Sequence, residues 1–293
     1  MYRAPQLSLF ATLTSFAAAL QLAYAGPGAW VDIYSPRELA RPEATVAALH
    51  ARGVRTLYLE TANHRRRRSQ LIVWPRATER FLDAAHARGM NVVAWYLPGF
   101  RDLDADYDRA LAAIEFETRA GERFDGFALD IEATVVRSIP RRNARVLALS
   151  RRLRAAVGPG ELLAAIVPDA LSTTCRGCLW PGFPYRSVAR YYDVFLPMLY
   201  STLRGRGAAF AGAYTRANID HIRRRTGRPA IPVHPIGGLA DPLTGAEARA
   251  VVAAAAARRA TGVSFYNVRL SGPEEWTALR RAPHRLGLVG RAR

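Results

Sequence analysis

The stretch Phe124-Asp125-Gly126-Phe127-Ala128-Leu129-Asp130-Ile131-Glu132 reads as a β-strand with two unlike faces. Side chains alternate along a strand, so Ala128, Asp130 and Glu132 share one face while Phe127, Leu129 and Ile131 share the other. An apolar face suits a covering helix layer. The acidic face then turns the opposite way, as on a strand of a (β/α)8 barrel whose carboxyl end opens into a mouth.

The rest of the chain repeats this unit. Short apolar or β-branched runs occur at 30–34, 56–60, 92–97, 126–132, 162–168, 194–200, 230–235 and 262–268. Amphipathic stretches separate them at 43–52, 77–88, 107–120, 143–156, 215–225 and 245–260. Strands alternating with helices indicate parallel βαβ units, and eight of them make a single α/β domain, a (β/α)8 TIM barrel. Gly53, Gly89, Gly227 and Gly262 fall where helices should stop. A doubly wound open sheet would show a Gly-rich phosphate loop after its first strand, and no G-x-G-x-x-G or Walker sequence occurs.

Composition agrees with a folded domain. The 293 residues are 50% hydrophobic and 23% charged, too apolar for intrinsic disorder, and two cysteines are too few for a disulfide scaffold. The formal charge of +18 comes entirely from arginine, because the chain contains no lysine. The arginines are scattered along helices and accompany no nucleic-acid reading motif, so acidic surfaces or polymers are the expected partners rather than specific nucleic acid. Cys175 and Cys178 read as a small disulfide-closed loop in an oxidising compartment.

Arg3, the apolar stretch 7–22 and the small residues of Ala23-Tyr24-Ala25 have the form of a secretory leader. The expectation is therefore a signal peptide over 1–25 and a barrel over 26–293, secreted or held in the cell envelope. No later stretch is apolar for long enough to span a bilayer.

Barrel chemistry gathers at the carboxyl ends of the strands. Those ends carry Asp32, Glu60, Tyr96, Asp130 with Glu132, Asp169, Met198 with Tyr200, His234, and Tyr266 with Asn267. Two carboxylates at i and i+2 on one strand face have Cα atoms roughly 6.5–7 Å apart. Partly desolvated like charges at that spacing raise the pKa of at least one member. A protonated carboxyl beside an ionised one is the equipment for cleaving a glycosidic bond. Trp180, Tyr96, Tyr200 and Tyr266 are candidates to stack on sugars, with Trp95 expected to face the helices. His64-Arg65-Arg66-Arg67-Arg68 follows the second strand directly and is a candidate clamp for an anionic glycan. His234 reads as a buried, hydrogen-bonded histidine; no metal site, cofactor or Ser-His-Asp triad is expected.

The run Asp125-Gly126-x-Ala128-x-Asp130-x-Glu132 resembles the D-G-x-D-x-D-x-E signature of family 18 glycoside hydrolases, the chitinases. The resemblance implies Glu132 as proton donor and Asp130 as the residue that holds a substrate acetamido group. Met198-Leu199-Tyr200 is similar to that family's M-x-Y, which implies the same support from Tyr200, and Tyr266 falls where the family places a Trp under the sugar. Ala128 and Ser201 stand where the family carries carboxylates. The shorter D-x-E is also similar to family 25 lysozyme-like barrels. Catalysis is thus expected from Glu132 and Asp130, and substrate binding from Asp32, Glu60, Tyr96, Asp169, Met198, Tyr200 and Tyr266. The chain is expected to act as a monomeric, exported glycosidase on a cell-envelope or environmental polysaccharide. A non-catalytic glycan-binding barrel, or an envelope protein held to acidic polymers, is the alternative.

Overall fold

The computed structural model describes residues 23–173, 178–238 and 243–282. Eight strands, β1 Gly26–Val31, β2 Thr56–Asn63, β3 Asn91–Leu97, β4 Gly126–Asp130, β5 Leu163–Pro168, β6 Val194–Met198, β7 Ile236–Gly238 and β8 Gly262–Tyr266, follow one another round a closed barrel. All pairings are parallel, and β8 returns to β1 through Gly26↔Gly262 to Ala29↔Phe265. The expected (β/α)8 barrel is therefore the fold. The seventh strand lies later than the run 230–235, which contributes only a bridge between Val233 and Phe195.

Helices lie between the strands where local chemistry starts and stops them. Pro75–His86 and Pro42–Ala51 open on proline, whose missing N–H costs nothing in a first turn. Asp102 caps Leu103–Ile114 by accepting from Ala105 N, and Thr244 with Glu247 forms a capping box on Gly245–Ala257. Gly227 ends Ala208–Thr226 in the left-handed region at φ 71°. Gly262 has a different reason from the other three glycines. It opens β8, and a Cβ there would collide with the His234 ring and Gly26 O. No helix among the described residues is long and apolar enough to cross a membrane.

The barrel has two cores. Outward residues such as Leu57, Phe127, Leu129 and Phe265 pack under the helices, whereas Trp30, Tyr58, Val93, Trp95, Ala128, Ile166 and Leu196 fill the interior. This corrects the phase expected for β3. Trp95 pairs with Glu60 and Ala128 and faces inward with them, so Tyr96 faces the helices. Both faces of β3 are apolar in sequence, as is usual for a strand covered on two sides, so its own residues do not reveal which set is inside.

The amino-terminal end of the interior is sealed by a hydrogen-bonded aromatic cluster. Trp30 stacks on Tyr58 with centroids 4.1 Å apart and donates Nε1–H to Ser264 Oγ at 2.8 Å. His234 is fully buried, with Nδ1 2.9 Å from Tyr24 O and Nε2 2.9 Å from Ser264 Oγ. A carbonyl can only accept, so Nδ1 carries the proton and Nε2 accepts from the serine. Burial pushes this imidazole down to about 4, which keeps it neutral. Tyr24 donates its hydroxyl to Phe127 O at 3.0 Å and Leu162 O at 2.9 Å. The described barrel thus takes in Ala23-Tyr24-Ala25, ahead of the boundary expected at Gly26; the remainder of the expected leader, 1–22, lies outside the described residues. Cys178 is disulfide-bonded, and Cys175 lies outside the described residues.

Asp125 and Gly126, the first half of the signature-like run, belong to this closed end. Asp125 Oδ2 accepts from Val92 N at 2.7 Å and meets His86 Nε2 at 3.0 Å, while Glu122 Oε2 lies 2.5 Å from His86 Nδ1. A Cβ on Gly126 would stand 2.6 Å from the Tyr24 hydroxyl, so glycine is what admits the plug.

Two stability predictions follow from this end of the barrel. Tyr24→Phe should cost about 1–2 kcal/mol in urea unfolding, through the loss of a buried hydroxyl hydrogen bond shared between Phe127 O and Leu162 O. The Asp125 and Glu122 carboxylates raise His86 from 6.5 to about 9, so the folded state favours the imidazolium. That stabilisation is complete below about 6.5 and is lost as pH rises to about 9. Denaturation midpoints measured across this window should fall with pH in the wild type, and His86→Gln should flatten the slope.

Candidate active site

The mouth of the barrel opens into a cavity of about 210 Å3 lined by Trp30, Glu60, Arg65, Trp95, Asp130, Glu132 and Tyr266 among others. A second cavity of about 200 Å3 lies toward β5 and β6 and is lined by Asp169, Arg204 and Tyr214. Glu132, Met198 and Tyr200 line both. The glutamate therefore stands where the two cavities meet.

Strand geometry produces this placement. Asp130 is the last residue of β4, in register with Ile166, and shares the inward face with Ala128. Glu132 lies two residues on, past the end of the strand, where it is half-buried. Asp130 is buried, and its Oδ1 has no hydrogen-bond partner among the described residues. Trp95 Nε1 is in the same condition on the same cavity. A buried acceptor and a buried donor left open on one cavity are the groups a polar ligand would satisfy.

The carboxyls here are hard to ionise. Burial raises Asp130 well above the carboxylate range, and the neighbouring charges of Glu132 and Glu60 add to it. Burial also raises Glu132, opposed by the Arg65 guanidinium. The pair consequently keeps a proton well past the ordinary carboxylate range. Glu60 is pushed up to about 7 by burial and assisted by Asp32, although Ile33 N–H and the Asn63 amide favour its anion. Tyr200 is raised by burial and by Glu132.

The remaining expected residues divide between the cavity and its supports. Met198, Tyr200, Glu60 and Tyr266 line the mouth. Asp32 sits below the rim with its acceptor positions filled. Oδ1 accepts from Tyr34 N and Ser35 Oγ at 2.9 Å, and Oδ2 from Asn267 Nδ2 at 2.5 Å and Tyr266 OH at 3.3 Å. It thereby holds the aromatic wall in place. Asp169 belongs to the second cavity, where it meets Ser172 Oγ at 2.5 Å and Arg204 at 3.4 Å.

Tyr96 requires correction. Its hydroxyl donates to Asp106 Oδ1 at 2.6 Å behind the sheet, next to Arg109, because the β3 phase points it away from the mouth. Trp180 is likewise buried among Phe100 and Phe183 and donates to Asn143 Oδ1 at 2.7 Å. In their place the interior presents Trp30 and Trp95. Trp30 was accessible from sequence, since it lies two residues before Asp32 on the same face. Trp95 was hidden by the two-sided apolarity of β3. Arg204 and Tyr214 come from loop and helix positions that carry no motif. No group of three or more His, Cys, Asp or Glu side chains suited to a metal occurs among the described residues.

No family profile matches the chain, and no curated protein matches it in sequence. Solved structures do match in fold. An endo-β-1,4-mannanase from Thermotoga petrophila superposes with a TM-score of 0.66 over 92% of this chain and 78% of its own, at 11% identity. A chitinase from Chromobacterium violaceum gives 0.60 over 91% and 100%, at 13% identity. The spore cortex-lytic enzyme SleL from Bacillus cereus gives 0.61 over 87% and 73%, at 11% identity. At these identities the likeness establishes the barrel fold.

Side-chain carboxyl 13C NMR titration checks the electrostatics. Glu60 should titrate near 7. Glu132→Gln removes the charge that opposes ionisation of Asp130, so the Asp130 midpoint should move down relative to wild type. An unmoved Asp130 midpoint would show that the two carboxyls do not interact.

Proposed function

We propose that the chain is a glycosidase, cleaving O-glycosidic bonds in a cell-envelope or environmental polysaccharide with Glu132 as general acid. The observation that carries this reading is the place of Glu132, half-buried where the two cavities meet and two residues beyond the buried Asp130. A glycosidic oxygen beside Glu132 would leave one sugar in the cavity walled by Trp30, Trp95 and Tyr266. The departing portion would lie toward Asp169 and Arg204. Glu132 gives its proton to the bridging oxygen as the bond to the anomeric carbon breaks. Asp130, with its unpartnered Oδ1, is placed to accept from an amide or hydroxyl of the sugar as positive charge develops. Glu60 faces the same cavity and is the available base for an incoming water.

The mannanase, chitinase and cortex-lytic enzyme among the similar structures support glycan cleavage as the general class. Export would be directed by the apolar leader, with processing upstream of Tyr24 so that the barrel keeps its plug.

Reducing-end release is the decisive assay, run on chitin oligomers, peptidoglycan, and neutral and acidic polysaccharides. Glu132→Gln should lower the rate by about 10²–10⁴-fold, the usual contribution of a general acid, while leaving glycan affinity largely intact. Undiminished turnover in the variant would remove Glu132 from the mechanism. Glycan binding without release from any substrate would leave a non-catalytic glycan-binding barrel.

A further inference from the structure

The run His64-Arg65-Arg66-Arg67-Arg68 is not one surface. Arg68 turns outward to Asp102 at 3.0 Å and Asp108 at 3.7 Å. Arg66 lies over the Tyr34 ring with its guanidinium carbon 5.2 Å from the centroid. Arg67 is exposed and does not line the cavity. Arg65 does, on the wall shared with Glu132.

We propose that Arg65 makes the mouth selective for an acidic glycan, its guanidinium pairing with a carboxylate carried by the sugar in the Trp30–Trp95–Tyr266 cavity. This deepens the glycosidase reading and rests on it for the identity of the ligand as a glycan.

Three observations carry the proposal. The first is that the guanidinium is uncommitted: no carboxylate among the described residues lies within ion-pair distance of Arg65. Arg204 and Arg269 differ, being matched by Asp169 at 3.4 Å and Asp32 at 3.3 Å, and Arg66, also without a carboxylate partner among the described residues, lies over the Tyr34 ring and does not line the cavity.

The second is that the backbone bearing Arg65 is held from both sides. Asn63 Oδ1 accepts from Arg65 N at 3.1 Å, and its amide donates to Glu60 Oε1 and Tyr34 OH. Beneath the loop the buried Arg109 donates to Arg66 O at 2.8 Å and Arg67 O at 3.0 Å. The side chain is itself exposed, and the anchored backbone keeps its base at the rim of the cavity it lines.

The third is the charge of the cavity itself. Glu60, Asp130 and Glu132 are all raised by burial, so in mildly acidic solution they oppose an incoming anion far less than three free carboxylates would. A planar carboxylate matches the guanidinium fork. Pairing would also screen the field by which Arg65 favours the Glu132 anion, leaving the general acid better protonated in the complex.

The test is calorimetric binding to the Glu132→Gln chain, which separates recognition from turnover. The probes are oligogalacturonate, glucuronoxylan oligomers and a muramic-acid-containing peptidoglycan tetrasaccharide, each beside its carboxyl-reduced form. At least one acidic probe should bind about tenfold more tightly than its reduced form at low salt, a modest value for a charged hydrogen-bonded pair. Adding Arg65→Gln should abolish that preference without weakening the reduced form, and adding Arg67→Gln should preserve it. Equal affinity for acidic and reduced forms, a preference that survives Arg65→Gln, or no binding of any acidic probe would overturn the proposal. A chain that shows the preference but never releases reducing ends would instead defeat the glycosidase reading alone.

Discussion

Closure of the sheet between β8 and β1 is the constraint on which the rest depends. A closed parallel barrel has an inside that side chains alone must fill, and each strand contributes every second residue to it. At the amino-terminal end the filling is dense: Tyr24, Trp30, Tyr58, His234 and Ser264 satisfy one another's polar atoms. At the carboxyl end the same alternation presents Glu60, Asp130 and Trp95 to a cavity. Burial raises both carboxyls and leaves Asp130 Oδ1 and Trp95 Nε1 without partners among the described residues. The fold thus produces a sealed floor and a reactive mouth from one geometric rule.

The arginine content looks different once the fold is known. Part of it serves as donors to backbone carbonyls at loop and helix ends. Arg154 donates to Tyr191 O, Gly158 O and Glu161 O, and Arg228 to Ala189 O and Tyr192 O. Arg109 does the same for the loop that carries Arg65. A guanidinium offers five donors in a rigid fork, so one side chain can close several unsatisfied acceptors. A net charge of +18 therefore does not mark one binding face, and Arg65 stands out because it lines the cavity.

The signature-like run shows how one motif can serve two ends of a barrel. Asp125 and Gly126 lie at the floor, where they bind His86 and admit Tyr24. Asp130 and Glu132 lie at the mouth. Ala128, between them, is an interior filler beneath the carboxylates.

The amino-acid sequence alone was enough to specify the barrel, because eight alternations of apolar strand and amphipathic helix have few other ways to bury both sheet faces. It also determined the Asp130–Glu132 pair, because carboxylates interleaved with Phe127, Leu129 and Ile131 declare which face is inside. The phase of β3 emerges only from the fold, because apolar residues on both faces conceal the alternation and neighbouring strands set the register. Only the fold shows Tyr24 packed into the floor of the barrel, since its partners lie more than a hundred residues away at Phe127 and Leu162. The same holds for the division of the arginine run. Adjacent residues in a loop point in unrelated directions, and which one lines the cavity with Glu132 depends on the packing of Arg109, Asn63 and Tyr34 around them.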